Sequence, residues 1–408
     1  MTPTNKIPYA AHLAETMRNG VVGGQLPVVL TDPNLLEHQA QRLMAKPGFD
    51  YIVGGAGESA TVESNRMAFR HWSIVPRVLK PTSPRDLSVS LFGHKYDSPV
   101  IMAPVGVQSL YHKDGEIGVS RACAALGVPF TLSTASSTGI EELVRANPQG
   151  PKWFQLYWPA DDDITASLLR RAQASGYRVL VVTLDTWTLG WRPRDIDNAN
   201  LPFLLGQGDQ VGFEDPVFRA KFAEQTDGGT PETDPMAAAA SWLGQCFPGV
   251  SRGWHQLSIL RKHWDGPMVL KGILSVEDAK LAVEHGIEGI VVSNHGGRQM
   301  DGAVATLSVL PSIVDAVGNR TTVMLDSGIR TGADMFKALA LGARAVFVGR
   351  PVVYGLGIDG TAGAQAVLAG LLADLDLTMG FAGVQKVPDL RRALLREGQF
   401  PARGRARL

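Results

Sequence analysis

Eight short apolar runs, separated by segments with helical periodicity, constrain the fold of this chain more than any other feature. The runs are Val100–Ala103, Phe130–Leu132, Trp153–Leu156, Val179–Leu184, Met268–Leu270, Gly289–Val292, Thr322–Leu325 and Ala345–Val348. Helical segments between them include Gly118–Leu126, Asp162–Ala174, Val276–Glu284 and Gly332–Leu341. Alternation of strand and helix predicts a parallel sheet in an α/β protein. Eight repeats predict a closed (β/α)8 TIM barrel. An open doubly wound sheet is the alternative, but its G-x-G-x-x-G turn after the first strand is missing.

The pattern also suggests how the chain is divided. Residues 1–98 are expected to form a mostly helical segment packed on the barrel, with helix starts at Thr31-Asp32-Pro33 and near Ser59. Residues 99–398 should form the barrel, and residues 399–408 a tail. The 75 residues 193–267 separate Arg192 from the fifth apolar run, far beyond the usual loop length. This insertion after the fourth strand, residues 193–250, is interpreted as a long active-site loop or lid. Its aromatic content argues against the alternative, a disordered spacer.

The composition excludes several classes of protein. The chain has 39 basic and 39 acidic side chains, so no nucleic acid or anionic membrane partner is expected. The two cysteines, Cys123 and Cys246, argue against a disulfide scaffold or a cysteine-ligated metal site, and no metal is predicted. We see no signal-peptide pattern in Met1–Ala10 and no apolar run long enough to span a bilayer. A cytoplasmic location is expected. The alternative is peroxisomal, because Ala406-Arg407-Leu408 resembles a Ser-Lys-Leu address.

The barrel interpretation requires chemistry at the carboxyl ends of the strands. Polar, charged or glycine residues do follow the runs: Pro104-Val105-Gly106, Ser133, Gln155, Tyr157, Thr183, Asp185, Lys271, Ser293, His295, Asp326, Gly328, Arg330, Gly349 and Arg350. The last two exits favour a phosphate, because glycine amides and two arginines occur there. The alternative is that these arginines cap helices.

The most informative exit is the stretch Ser293-Asn294-His295-Gly296-Gly297-Arg298-Gln299-Met300-Asp301. His295 can act as a base near neutral pH. Arg298 offers a fork of N–H groups that suits a carboxylate. The two glycines allow backbone to approach a flat ligand closely.

This stretch resembles the signature of the FMN-dependent enzymes that oxidise L-2-hydroxy acids. The resemblance runs from about Phe49 to Gly398 and includes Phe154–Tyr157, Thr183–Thr186, Leu270–Gly272 and Asp326–Pro351. Within the family the chain is most similar to lactate 2-monooxygenase, through Gln25–Val29, Tyr157–Asp163, Trp187–Asp195 and the enlarged loop after Arg192.

The resemblance implies an FMN at the barrel mouth and assigns a role to each exit. The cofactor-binding residues would be Pro104, Val105 and Gly106 at the ring face, Ser133, Gln155 and Thr183 at its polar edge, Lys271 at its pyrimidine end, Ser293 near the ribityl chain, and Asp326, Gly328, Arg330, Gly349 and Arg350 at ribityl and phosphate. On the substrate side, Arg192 and Arg298 would bind the carboxylate. Tyr51 and Tyr157 would donate hydrogen bonds, His295 would be the base, and Asp185 would stabilise its imidazolium.

The implied reaction is oxidation of L-lactate by O2 with decarboxylation to acetate, CO2 and water. Ala135 stands where glycolate oxidase has tryptophan, which favours lactate or larger acids over glycolate. The alternatives are an oxidase that releases the 2-oxo acid and hydrogen peroxide, a related dehydrogenase, or a barrel that only binds a phosphorylated ligand. The family also implies a homotetramer or homo-octamer.

Overall fold

A computed structural model describes residues 7–398 of the protein, so the tail with Ala406-Arg407-Leu408 lies outside the described residues. The N-terminal segment forms α1 (Ala11–Val21), α2 (Pro33–Leu43), α3 (Lys46–Val53), α4 (Ala60–Arg70), β1 (Trp72–Ile74), β2 (Val89–Leu91) and β3 (His94–Tyr96). The helix start at Pro33 is confirmed, because the Asp32 side chain accepts a hydrogen bond from the Asn34 amide and caps α2. The second predicted start is also confirmed, since α4 begins directly after Ser59.

The predicted barrel is confirmed. Its strands are β4 (Val100–Met102), β5 (Phe130–Ser133), β6 (Lys152–Tyr157), β7 (Leu180–Thr183), β8 (Met268–Ile273), β9 (Gly289–Val292), β10 (Thr322–Leu325) and β11 (Val346–Val348). They close in the order β10-β11-β4-β5-β6-β7-β8-β9, and every pairing is parallel. Nearly all strand residues are buried, which explains why each strand reads as a continuous apolar run rather than an alternating one.

The helices from the first barrel strand onward are α5 (Gly115–Ala125), α6 (Ile140–Ala146), α7 (Asp162–Ala174), α8 (Pro193–Asp197), α9 (Gln210–Phe213), α10 (Pro216–Gln225), α11 (Pro235–Cys246), α12 (Leu257–Arg261), α13 (Val276–Glu284), α14 (Thr306–Val317), α15 (Gly332–Ala340) and α16 (Arg350–Phe381). Two of the predicted segments, α7 and α13, have the predicted bounds. A short β12 (Leu395–Glu397) pairs antiparallel with β1, so the end of the described chain returns to the N-terminal segment.

The amino end of the barrel is closed by the hairpin of β2 and β3. Phe92, at its turn, packs against Trp153 at the start of β6, with ring centroids 5.9 Å apart. A side chain at Gly289, at the start of β9, would meet the Phe92 ring at 2.8 Å. Trp153 also donates a hydrogen bond to the Tyr96 hydroxyl. With this end filled, ligands reach the barrel from its carboxyl end.

The helix α16 corrects the expectation that no apolar segment is long enough to span a bilayer. Within residues 7–398, this 32-residue helix is long and apolar enough to cross a membrane by length and composition, and half of its most apolar window is buried in the protein. The length of this helix is not apparent in the sequence because Asp359 interrupts the apolar residues. The backbone leaves helical geometry at Asp359 and Gly360.

The insertion between β7 and β8 is folded, so the disordered-spacer alternative is wrong. Helices α8 to α12 lie in it, and Phe218, Phe222 and Trp242 are buried there with their rings in contact. The Asp215 side chain caps α10 and also accepts hydrogen bonds from Ser167 and Arg171 of α7. The insertion is therefore anchored to the outer layer of the barrel.

One buried acid in the insertion makes stability depend on pH. Asp209 is fully buried, and neither of its carboxylate oxygens has a hydrogen-bond partner among the described residues. Burial raises its pKa to about 8. Because the folded protein holds this proton above the unfolded pKa of about 3.9, the free energy of unfolding should fall as pH rises from 4 to 8. The loss is up to about 4 kcal/mol by pH 7, at about 1.36 kcal/mol per pH unit.

Asp209→Asn keeps the shape of the side chain and removes the ionisation. We expect this variant to melt at a higher temperature than the parent protein at pH 8 and at nearly the same temperature at pH 4. Thermal melts at the two pH values measure the difference. An equal shift at both pH values would show that the ionisation of Asp209 is not the cause.

Candidate active site

His295 lies at the carboxyl end of β9, at the start of a short 3-10 turn, His295–Gly297. It and the two glycines after it all have positive φ, with 57° at His295, which is an unusual conformation for a residue with a side chain. Asn294 fixes this turn, because its side-chain oxygen accepts from the Gly297 amide and its amide exchanges hydrogen bonds of 2.8 Å with Asn65 of α4. The backbone strain at His295 is therefore maintained by a rigid surrounding.

The His295 ring is oriented by residues that follow β7, two strands away around the barrel. Its Nδ1 lies 2.8 Å from Asp185 Oδ1, which follows β7, so the predicted pairing of these two residues is present. The Thr186 hydroxyl donates to the same oxygen at 2.7 Å and lies 3.0 Å from Nδ1. With Asp185 accepting from Nδ1–H, the neutral ring keeps Nε2 as an acceptor. This is the arrangement of a positioned base.

The electrostatic environment keeps His295 neutral. Burial lowers its pKa first, nearby Lys271 lowers it further, and Asp185 opposes both, with a result of about 4. The Asp185 carboxyl shows the opposite balance: burial raises its pKa, but Lys271 and His295 outweigh burial and hold the pKa well below its usual range. An uncharged imidazole beside an ionised carboxylate is ready to accept a proton across the physiological pH range.

A titration tests this assignment. In the protein without substrate, the imidazole of His295 should titrate near pH 4, well below the value of about 6.5 for an unperturbed histidine. Histidine-selective NMR measures the transition, with the spectrum of His295→Asn identifying the resonance. A transition near pH 6.5 for His295 would contradict the geometry described above.

Lys271 links the base to the neighbouring strand exit. Its ammonium group is buried 3.8 Å from Asp185 Oδ2 and 3.5 Å from Asp326 Oδ2. Burial alone would lower the pKa of Lys271, but Asp326 and Asp185 outweigh it and the pKa is raised. Lys271 therefore stays charged and contributes a positive charge at the base of the cavity.

Arg298 and Arg350 have a structural task that the sequence did not specify. Arg298 donates to the carbonyls of Tyr51 and Gly54, and Arg350 donates to those of Ile52, Gly54 and Gly296. Most of these carbonyls end α3, where a helix leaves its last acceptors unpaired. The capping alternative is thus partly correct for Arg350. Each guanidinium has five N–H groups, so both arginines retain donors for a ligand.

Arg192 is buried and lacks a close acidic partner. Its Nε donates to the Arg298 carbonyl at 3.0 Å, and one terminal nitrogen donates to Gln299 at 2.6 Å. The nearest carboxylate, Asp195, is 3.9 Å away. Burial and then the positive charge of Arg298 lower the Arg192 pKa. Among the described residues these two neighbouring cations have only Asp195 at the limit of ion-pair distance, so together they attract an anion.

A cavity of about 930 Å³, open to solvent on one side, collects most of the predicted residues. Those that line it are Tyr51, Pro104, Val105, Gly106, Tyr157, Arg192, Lys271, His295, Arg298, Asp326, Gly328, Arg330, Gly349 and Arg350. Other predicted residues do not line it. Asp185 and Ser293 contact His295 instead: Asp185 Oδ1 lies 2.8 Å from its Nδ1, and Ser293 Oγ accepts from its amide. Thr183 borders an adjoining cavity with Trp158 and Trp187.

The ring-binding side of the cavity fits a flat heteroaromatic group. The backbone of Pro104, Val105 and Gly106 forms one wall, and a side chain at Gly106 would meet the Ala135 carbonyl at 2.6 Å. Below it, Gln155 accepts from Ser133 at 2.8 Å, whereas its own amide nitrogen is buried without a partner in the described protein. Such an orphaned donor fits the polar edge of a flavin.

The neighbouring strand exits, after β10 and β11, fit a phosphate. Ser327 and Gly328 both have positive φ and turn the chain sharply after β10. Arg330 spends one donor on the Ile329 carbonyl and is otherwise available. Arg350 opens α16, whose first amides offer a helix N-terminus. Together with the flavin-like wall, the donors present fit FMN.

Sequence reasoning missed several residues of the site. Thr186 and Gln299 were within the quoted motifs but were assigned no role. Phe203 and Phe247, from the insertion, line the cavity, and Phe247 packs against Tyr157 with ring centroids 5.0 Å apart. No local signal identifies such contacts, because they depend on how the insertion folds back.

Comparisons with known proteins identify the family of the chain. The family model for FMN-dependent dehydrogenases matches residues 40–397. The chain is 52% identical over 401 residues to an FMN-dependent alpha-hydroxy acid dehydrogenase of Penicillium citrinum, with 98% of each chain covered. It is 38% identical over 374 residues to an L-lactate oxidase of Lysinibacillus sphaericus, covering 92% of this chain and 94% of that one.

A solved structure supports the same conclusion. The fold is similar to that of a mandelate oxidase with benzoyl-formic acid, at a TM-score of 0.75 and 36% identity, over 90% of this chain and 98% of that one. The family model and the relatives span nearly the whole chain, and the cavity has donors that fit the cofactor. The protein therefore belongs to the FMN-dependent dehydrogenase family and is an FMN-dependent oxidoreductase of alpha-hydroxy acids.

Proposed function

We propose that the substrate is L-lactate and that the enzyme retains pyruvate until hydrogen peroxide decarboxylates it, as in lactate 2-monooxygenase. The overall reaction converts L-lactate and O2 into acetate, CO2 and water. The observation that carries the substrate class is the pairing of a neutral, oriented His295 with two arginines, the buried Arg192 and the half-buried Arg298, that have no carboxylate at hydrogen-bond distance among the described residues. A 2-hydroxy acid presents one carboxylate for the cations and one hydroxyl for the base.

The residues have distinct tasks in this reaction. Arg298 and Arg192 hold the carboxylate and fix the substrate's orientation, which removes much of the entropic cost of reaction. His295 Nε2 accepts the proton released as the C–H bond beside the hydroxyl is broken. Asp185 then stabilises the imidazolium through Nδ1. FMN, when bound, supplies the two-electron acceptor and the reaction of those electrons with O2.

The two tyrosines complete the polar side of the substrate pocket. Burial raises the pKa of Tyr157 far above its ordinary value, so its hydroxyl stays protonated and donates a hydrogen bond. Tyr51 lies under the guanidinium of Arg298, 5.0 Å from the ring centre. We assign them to the carboxylate and hydroxyl of the substrate.

The other side of the pocket favours a small apolar substituent. Ala135 lines it, and the Phe203 and Phe247 rings from the insertion pack together with centroids 5.6 Å apart. A methyl group fits between an alanine and two rings without leaving a polar group unpaired. The same walls also support retention, because they belong to a folded insertion that begins directly after Arg192.

Product analysis after aerobic turnover tests the proposed outcome. The intact holoenzyme should convert L-lactate mainly into acetate and CO2, with little free hydrogen peroxide. Phe247→Ala should open the insertion side of the cavity and shift the output toward pyruvate and peroxide, while anaerobic flavin reduction changes little. Stoichiometric peroxide from the unaltered enzyme would exclude the monooxygenase assignment.

The second candidate is an oxidase that releases the 2-oxo acid and hydrogen peroxide. The relative named L-lactate oxidase favours it, as does the open side of the cavity. A panel of L-lactate, glycolate and mandelate, scored by kcat/KM, separates the substrates, and the peroxide yield separates the outcomes. A dehydrogenase would instead reduce an added acceptor faster than O2.

The family resemblance supports three further proposals. We infer a homotetramer or homo-octamer, O2 as the electron acceptor, and a cytoplasmic location with a peroxisomal alternative. Light scattering of the purified protein gives the first, oxygen consumption the second, and localisation of a tagged protein with a free C-terminus the third.

A further inference from the structure

Gln299 directly follows Arg298 and makes four hydrogen bonds to one loop. Its Oε1 accepts from Arg192 at 2.6 Å and from the Gly190 amide at 3.2 Å. Its Nε2 donates to the carbonyls of Asp185 at 3.0 Å and Thr188 at 2.8 Å. Both donors and both acceptor positions of the amide are used. The orientation of the amide is also unambiguous, because a flipped amide would set N–H groups against N–H groups.

The loop that Gln299 holds carries two residues of the site. It runs from the end of β7 to the start of α8, without regular secondary structure, and contains Asp185 near its beginning and Arg192 at its end. Gly190 lies so close to the 298–299 backbone that a side chain there would meet the Arg298 carbonyl at 2.5 Å and the Gln299 carbonyl at 2.7 Å. The Gln299 side chain therefore connects Arg192 to the exit of β7, where Asp185 lies.

The side chain that contacts Arg192 from position 299 is a neutral amide and not a carboxylate. The guanidinium is held by two uncharged acceptors, the Arg298 carbonyl and Gln299 Oε1, and its nearest carboxylate is 3.9 Å away. These contacts fix the fork without neutralising it. A carboxylate at residue 299 would hold Arg192 as firmly and would compete with the substrate's carboxylate for its charge.

We propose that Gln299 is a positioning residue that holds the Arg192 guanidinium in place for the substrate carboxylate without adding a negative charge beside it, and so sets substrate affinity rather than the rate of C–H cleavage. The inference rests on the proposed function, in which Arg192 binds the carboxylate. It assigns Gln299 no contact with the substrate.

The test uses the FMN-loaded enzyme and anaerobic rapid mixing with L-lactate, which separates the dissociation constant from the limiting rate of flavin reduction. Gln299→Met removes all four hydrogen bonds at similar volume. It should raise the dissociation constant about tenfold or more, since the lost hydrogen bond is made to a charged group, and change the limiting rate far less. Gln299→Glu should also weaken binding, although it strengthens the contact to Arg192. Gln173→Met, which removes an exposed contact to Asp265, is the matched control.

A double-mutant comparison shows whether Gln299 acts through Arg192. In the Arg192→Lys background, Gln299→Met should have a much smaller effect on the dissociation constant, because the positioned group is already lost. Equal effects in both backgrounds would overturn the inference. So would an unchanged dissociation constant, or a fall in the limiting rate alone.

Failure of the proposed substrate is distinguishable from failure of this inference. If L-lactate does not reduce the unaltered enzyme, the lactate assignment is wrong. Pyruvate binding to the oxidised enzyme, followed through flavin absorbance, still gives a dissociation constant without turnover. Gln299→Met should weaken that binding about tenfold, and unchanged binding would again overturn the inference.

Discussion

His295→Asn should bind FMN and remain yellow, but its flavin should be reduced by L-lactate about a hundredfold to ten-thousandfold more slowly than in the parent enzyme. Loss of a general base has effects of this size. Asparagine suits the test because it readily adopts the positive φ of 57° found at residue 295. The strained turn should therefore keep its shape, and the loss should reflect the missing base.

The rate is measured by anaerobic stopped-flow absorbance at saturating substrate. His255→Asn, an exposed histidine in the insertion, is the control and should behave as the parent enzyme. Reduction of His295→Asn at a near-parental rate would remove His295 from the mechanism. Loss of the yellow colour would mean that residue 295 also supports cofactor binding.

Arg298→Lys should lower kcat/KM about a hundredfold, a loss of about 2.7 kcal/mol in transition-state stabilisation. Two effects combine. An ammonium group cannot reproduce the planar fork that binds a carboxylate. The lysine ammonium also lies one bond short of Nη1, the single nitrogen from which Arg298 donates to the carbonyls of Tyr51 and Gly54, so these contacts to the end of α3 are weakened.

Steady-state kinetics with L-lactate measure the effect of Arg298→Lys. Arg261→Lys, at an exposed ion pair with Glu288, provides a control in which only the guanidinium is lost. Parental kcat/KM in Arg298→Lys would place the substrate carboxylate elsewhere in the cavity.

The barrel and the approximate position of the site were predictable because both follow from local patterns. Each apolar run marks a strand, and barrel geometry brings all strand exits to one end. That rule places Asp185 near His295, although 110 residues separate them. The motif Ser293–Asp301, directly after β9, then indicated that the base is at the end of that strand.

Other features were not predictable because they depend on packing between distant segments. No local pattern shows that Arg298 and Arg350 cap α3, since their acceptors lie about 240 to 300 residues earlier. The burial of Asp209 follows from the fold of the insertion, and the tight fit of Gly190 from its contact with the 298–299 backbone. The apolar length of α16 was hidden by Asp359 in its middle.

The most direct test of the account is an anaerobic titration of the purified yellow holoenzyme with L-lactate. We expect L-lactate to bleach the flavin absorbance, with one pyruvate formed for each FMN reduced, and D-lactate to leave the spectrum unchanged. Bleaching is the result expected if the cavity binds the carboxylate of a 2-hydroxy acid at Arg192 and Arg298 and holds the reacting carbon near His295. An unchanged spectrum with L-lactate, glycolate and mandelate alike would contradict it.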